Sequence, residues 1–146
     1  MQKTQALVIC TLIASVVAAS SVMALLTTQK TVSGTGAIKA VGLGVYWDLQ
    51  CTNSTSALDF GLLEPGASKN FTLYLRNNGN SPLILSMTTQ NWNPSTGSSY
   101  MTLSWNREGQ QISPAQVIQF AIVLSVSPSI TGISSFSFDI IITGTG

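Results

Sequence analysis

Histidine is absent from this 146-residue chain, which removes the commonest general base and the commonest nitrogen ligand for metals. Charge is nearly as scarce. Charged residues make up 8% of the sequence, six basic and five acidic, for a net charge of +1; ordinary soluble domains carry about 25%. With no basic cluster, the electrostatic footprint of a nucleic-acid binder is missing. The five acids, Asp48, Asp59, Glu64, Glu108 and Asp139, lie far apart. They supply neither a DxD-type calcium loop nor an evident carboxylate pair for glycoside hydrolysis. Serine is plentiful, but no nucleophile elbow or SxxK pair activates one. No glycine-rich turn between a strand and a helix offers a phosphate cradle. The expectation is a protein that is not an enzyme and has no cofactor, no metal and no nucleic-acid partner.

Cysteine is limited to Cys10 and Cys51. Cys10 falls inside an N-terminal apolar run, so a domain beyond that run holds Cys51 alone and has no internal disulfide. Cys51 reads as a quiet, half-buried thiol, with an intermolecular bridge as the alternative.

Lys3 precedes a run from Ala6 to Leu26 without an ionisable group other than a thiol. As a helix it spans about 30 Å, enough to cross a bilayer core. Residues 1–26 are therefore expected to be a hydrophobic signal or anchor helix. Val22-Met23-Ala24 suits cleavage after Ala24, and a retained span over 6–26 is the alternative. A pilin-type leader fits less well, because Lys3-Thr4-Gln5 lacks the glycine of such a cleavage site. Each fate places the remainder outside the membrane, at an extracellular or cell-surface location.

Beyond Leu26 about 120 residues remain, enough for one domain with an adequate core. Their apolar residues alternate with period two, the signal of half-buried strands. Val41, Leu43, Val45, Trp47 and Leu49 read as one stripe. Phe71-Leu73-Leu75, Leu83-Leu85-Met87 and Met101-Leu103-Trp105 follow. Ile118, Phe120, Ile122, Leu124 and Val126 form the longest stripe, and Phe136, Phe138, Ile140 and Ile142 the last. Glu64-Pro65-Gly66, Asn77-Asn78-Gly79-Asn80 and Asn106-Arg107-Glu108-Gly109 supply turn chemistry between them. The pattern predicts an all-β, two-sheet sandwich over 39–146, jelly-roll or immunoglobulin-like. The chain stops at Gly144-Thr145-Gly146, directly after its last stripe, so attachment is expected through the N-terminus or a surface.

Asn53-Ser54-Thr55 and Asn70-Phe71-Thr72 match the N-glycosylation acceptor pattern and make Asn53 and Asn70 glycosylation candidates. Trp47 and Trp105 read as core. Trp92 reads as a cap on the sandwich, with a stacking face for sugar or a partner as the alternative.

Residues 27–38 are extended in character, rich in Thr and Val. Val32, Gly34, Gly36 and Ile38 share one parity, the pattern of an added strand whose alternate side chains enter a groove. These four are candidate donor-strand residues, and glycine permits close backbone approach there. The alternative is an ordinary first strand paired within its own domain. Few charges protect the sheet edges, which suits edges occupied by neighbours.

The order of features resembles the small secreted β-sandwich subunits of archaeal bundling pili and the related TasA/camelysin-like biofilm fibre proteins. The residues that carry it are Gly42-Leu43-Gly44-Val45-Tyr46-Trp47-Asp48, Phe60-Gly61-Leu62-Leu63-Glu64-Pro65-Gly66, Tyr74-Leu75-Arg76-Asn77-Asn78-Gly79 and Phe136-Ser137-Phe138-Asp139-Ile140. The resemblance implies a jelly-roll-like subunit that forms a homopolymer by lending a strand, about Lys30 to Ile38, to the next copy. An exported filament or biofilm-matrix subunit is thus expected. A membrane-anchored envelope domain mediating protein contacts is one alternative, and a secreted carbohydrate- or protein-binding module another.

Overall fold

The computed structural model describes residues 30–146. The signal or anchor expected over 1–26, and the start of the 27–38 segment, lie outside the described residues. Among the described residues nine strands form: β1 (Val32–Val41), β2 (Leu43–Tyr46), β3 (Ala57–Leu63), β4 (Ser68–Asn77), β5 (Leu83–Asn93), β6 (Met101–Trp105), β7 (Gln111–Ile112), β8 (Val117–Val126) and β9 (Ser135–Thr145). A single helical turn, α1 (Gly97–Tyr100), leads into β6.

The strands make two sheets, ordered β3-β1-β9-β5-β7 and β2-β4-β8-β6. Odd-numbered strands lie in one and even-numbered strands in the other. Every connection therefore crosses from sheet to sheet, and no two consecutive strands pair with each other. The expected all-β sandwich is what forms. Its ladders are antiparallel except β1 against β9, the one parallel ladder among the described residues.

The core is where the alternating stripes meet. All five apolar residues of the β8 stripe and all four of the β9 stripe are buried. Phe120, Ile122, Leu124, Ile140 and Ile142 are almost wholly excluded from solvent. Burying each such side chain contributes about 1.5–3 kcal/mol. Glu64-Pro65-Gly66 turns the chain as expected: Ala67 N donates to Glu64 O at 3.0 Å, and Gly66 takes φ 82°, the left-handed value of a type II turn.

Two expectations fail locally. The stripe from Val41 to Leu49 is not one strand. Gly42, at φ 72°, turns the chain from β1 in one sheet to β2 in the other. Leu43 and Val45 face the core, but Val41 is 81% exposed and Leu49 56%. Trp47 lies past the end of β2 and is 39% exposed, its ring edge-on to Phe71 with centroids 5.9 Å apart. It lies over the core's margin, not within it. Trp105 is half-buried, edge-on to Phe120, and donates from Nε1 to Glu108 Oε2 at 2.8 Å. β3 falls where the sequence shows no clear stripe, its alternation being hidden by a bulge. Leu58, Phe60 and Leu63 all point inward because the register against β1 shifts between Gly34 and Thr35.

Candidate functional site: the first strand and its slot

β1 occupies the slot between β3 and β9. It pairs antiparallel with β3 from Val32↔Leu63 to Ala37↔Ala57, and parallel with β9 from Ser33↔Ser135 to Val41↔Thr143. Its inward parity is the one the alternation marks. Val32, Gly36 and Ile38 are buried, Gly34 is half-buried, and Thr35, Ala37 and Lys39 face solvent.

The two glycines make room for aromatic rings. A Cβ on Gly34 would lie 2.4 Å from the Phe136 carbonyl oxygen and 2.6 Å from that ring's Cδ2. On Gly36 it would lie 2.9 Å from Ile140 Cδ1 and 3.1 Å from Phe60 Cε2. The space they leave is filled by a connected cluster. Phe60 lies 5.7 Å from Phe138, 6.2 Å from Phe136 and 5.4 Å from Phe71, centroid to centroid. Trp92 stacks on Phe138 at 4.1 Å and donates from Nε1 to Thr89 Oγ1, so it caps the end of the cluster. The slot therefore accepts a strand with small residues at its middle and larger ones, Val32 and Ile38, at its ends.

Polar contacts hold β1 from outside. Lys39 Nζ on β1 donates to Asp139 Oδ2 on β9 at 2.6 Å, and Asn91 Nδ2 on β5 donates to the same oxygen at 2.7 Å. The Lys39 ammonium, then the Asn91 amide, hold the Asp139 carboxyl below the ordinary aspartate range. Before β1 begins, Lys30 Nζ donates to the Ile130 carbonyl at 3.0 Å.

The slot has one-sided support. Among the described residues β3 pairs with no strand other than β1, so the sheet's edge strand hangs on whatever chain fills the slot. β1 is also linked covalently to β2 by one residue, Gly42. That residue is exposed, and apart from its own chain neighbours no described atom lies within 4 Å of where its Cβ would be. Its φ of 72° is one that glycine adopts at little cost, and its carbonyl accepts from Asn78 N at 3.1 Å, which fixes the corner between β1 and β2.

The glycosylation candidates lie at the far margin of the four-stranded sheet. Asn53 is exposed in the bend after β2, and its carbonyl accepts from Trp47 N at 2.8 Å. That bend is fixed by Asp48, whose carboxylate accepts from Thr52 N at 3.0 Å, Thr52 Oγ1 at 2.8 Å and Asn53 N at 2.7 Å. The Thr52 amide is the main cause of an Asp48 carboxyl below its ordinary value. Asn70 is exposed on β4, opposite Val123. Cys51 is a free, half-buried thiol at φ 56°. Among the described residues, no three His, Cys, Asp or Glu side chains come together as a metal-ligand set.

Sequence reasoning missed Asn77. It reads there as turn punctuation, yet it is fully buried. Its Nδ2 donates to Ser81 O at 2.8 Å and to Ile112 O at 3.2 Å, and its Oδ1 accepts from Gly79 N at 2.8 Å. The only prior signal was Asn at the point where the β4 alternation ends. Compared with known proteins, the chain matches no family model and no curated protein.

Proposed function

We propose that this protein is an exported structural subunit that assembles with copies of itself, at or beyond the cell surface, by placing β1 in a neighbour's slot. The observation that carries the reading is the attachment of β1. It completes a sheet and supports an edge strand, yet Gly42 alone links it covalently to β2. A slot that needs this strand is filled equally well by the β1 of an identical copy, because the same side chains meet the same cluster.

The energetics favour exchange within a polymer over exchange between isolated pairs. Val32 and Ile38 contribute about 1.5–3 kcal/mol each on burial, while ordering each residue costs about 1–2 kcal/mol. Swapping one self-paired β1 for a neighbour's leaves those terms unchanged. The balance then rests on new contacts between subunits, which repeat along a fibre. We read the topology as jelly-roll-like: strict alternation between sheets differs from immunoglobulin domains, where several consecutive strands pair within one sheet.

A second reading has its own observation. β1 pairs with its own domain over nine register positions with β9, which also describes a self-contained envelope domain held at the surface by its N-terminal segment. Electron microscopy and sizing of the mature chain separate the two. Fibres are expected from the intact chain, and none from a chain lacking residues 27–38, even with a peptide spanning Val32–Val41 added back, because a free strand fills the slot without joining one subunit to the next. A monodisperse monomer indifferent to that deletion contradicts strand exchange.

A further inference from the structure

One edge of the four-stranded sheet is left open in a particular way. β2 covers β4 only from Tyr74 to Asn77. From Ser68 to Leu73, β4 is paired with β8 on one side and, among the described residues, has no partner strand on the other. Such an edge is a template for unwanted pairing unless something covers it. The usual charged protection is thin: Lys69 is the one ionisable residue in that stretch.

Both acceptor triplets flank this notch. Asn70 lies within the open stretch, with Asn70 and Thr72 exposed. Asn53 is brought to the same margin by the end of β2: Trp47 N donates to Asn53 O, Ser54 bridges Tyr46, and the Trp47 ring lies against Phe71. The asparagines with structural duties lie outside the triplets. Asn77 is bonded to Ser81, Ile112 and Gly79, Asn91 to Asp139, and Asn106 Oδ1 accepts from Ala121 N. Neither the Asn53 nor the Asn70 side-chain amide bonds to another described residue, so each is available for modification without loss of a native contact.

We infer that Asn70 and Asn53 carry asparagine-linked oligosaccharides, and that these cover the open β4 edge so that strand pairing between copies is confined to the five-stranded sheet. The inference rests on the export reading, because the co-reactant is a lipid-diphosphate-linked oligosaccharide at the outer side of a membrane. In the transfer, the bond from the sugar's anomeric carbon to the diphosphate oxygen breaks. A bond from that carbon to the Asn Nδ2 forms. The lipid diphosphate leaves with the electron pair, and the amide loses one proton to the transferase's base. A bulky polar chain on Asn70 extends from the outer face beside the unpaired backbone, and a second on Asn53 adds cover at the same margin.

The test is glycopeptide mass spectrometry on the full chain recovered from its own cells, with surface and cytosolic fractions kept separate. The expected result is saccharide on the Asn70 peptide and on the Asn53 peptide of the surface fraction. A bare Asn70 on surface chain overturns the inference, whatever Asn53 carries, and leaves export standing. Chain found only in the cytosol, unmodified and with its N-terminal segment intact, overturns export and this inference together.

Discussion

Replacing Gly34 by alanine is expected to destabilise the domain by about 2 kcal/mol. Its added Cβ would lie 2.4 Å from the Phe136 carbonyl oxygen and 2.6 Å from two ring carbons, about 1 Å inside ordinary contact. The oxygen belongs to the β9 backbone, which adjacent strands hold in register, so it does not retreat cheaply. Overpacking of this kind costs about 1–3 kcal/mol, and the steric overlap here calls for the upper part of that range. A gain of about 0.4–1 kcal/mol from stiffening the unfolded chain offsets it in part. At Gly36 the nearest atom is Ile140 Cδ1, at 2.9 Å, the far end of a side chain. Gly36→Ala should cost about 1 kcal/mol and be partly relieved by Ile140→Val, which removes that methyl. Ile140→Val alone costs about 0.5–1.5 kcal/mol, and the pair should fall short of the sum by about 0.5–1 kcal/mol. Urea unfolding followed by tryptophan fluorescence reads both, since Trp92 stacks on Phe138 beside the slot. A Gly34→Ala chain as stable as the parent, or a strictly additive Gly36/Ile140 pair, would refute the close packing of β1.

Asn77→Ala should lose about 3 kcal/mol by stranding the Ser81 and Ile112 carbonyls and the Gly79 amide, and Asn77→Asp should fare worse at neutral pH by turning both donors into acceptors. A urea midpoint within experimental error of the parent for either variant would contradict this role. Asp139 and Asp48 have folded values below the ordinary one, so their contribution is present above the unfolded value of about 3.9 and lost as pH falls through the folded one. The urea midpoint should hold from pH 7 to about 5, decline below about 4, and decline less steeply in Asp139→Asn. A midpoint that rises on acidification would reverse the sign.

Much of the architecture is legible because the strands of the middle and end of the chain alternate cleanly. Ile118 to Val126 and Phe136 to Ile142 announce both their type and their buried faces. Period two, however, does not reveal which sheet a strand joins. At Val41-Gly42-Leu43 the alternation continues unbroken while the backbone turns a corner, so a single stripe conceals two strands in different sheets. At β3 the reverse holds: Leu58, Phe60 and Leu63 are all inward, but a bulge breaks their spacing. The parity of Val32, Gly34, Gly36 and Ile38 was readable. The reason for the glycines was not, because Phe136, Ile140 and Phe60 come from distant segments that only the fold brings over them. Asn77 was hidden for a similar reason, since its partner Ile112 lies 35 residues away.

The central claim, that β1 pairs between copies, is tested most directly by a disulfide across its ladder with β9. Thr35 and Ser137 are register partners on those strands, neighbours close enough for a cystine. In a chain carrying Thr35→Cys and Ser137→Cys, with Cys10 and Cys51 replaced by serine, the bridge forms within whichever pair of strands shares the slot. After assembly and oxidation, strand exchange predicts a ladder of covalent multimers on non-reducing electrophoresis that collapses to monomer on reduction. An oxidised chain that runs only as an internally bridged monomer would contradict it.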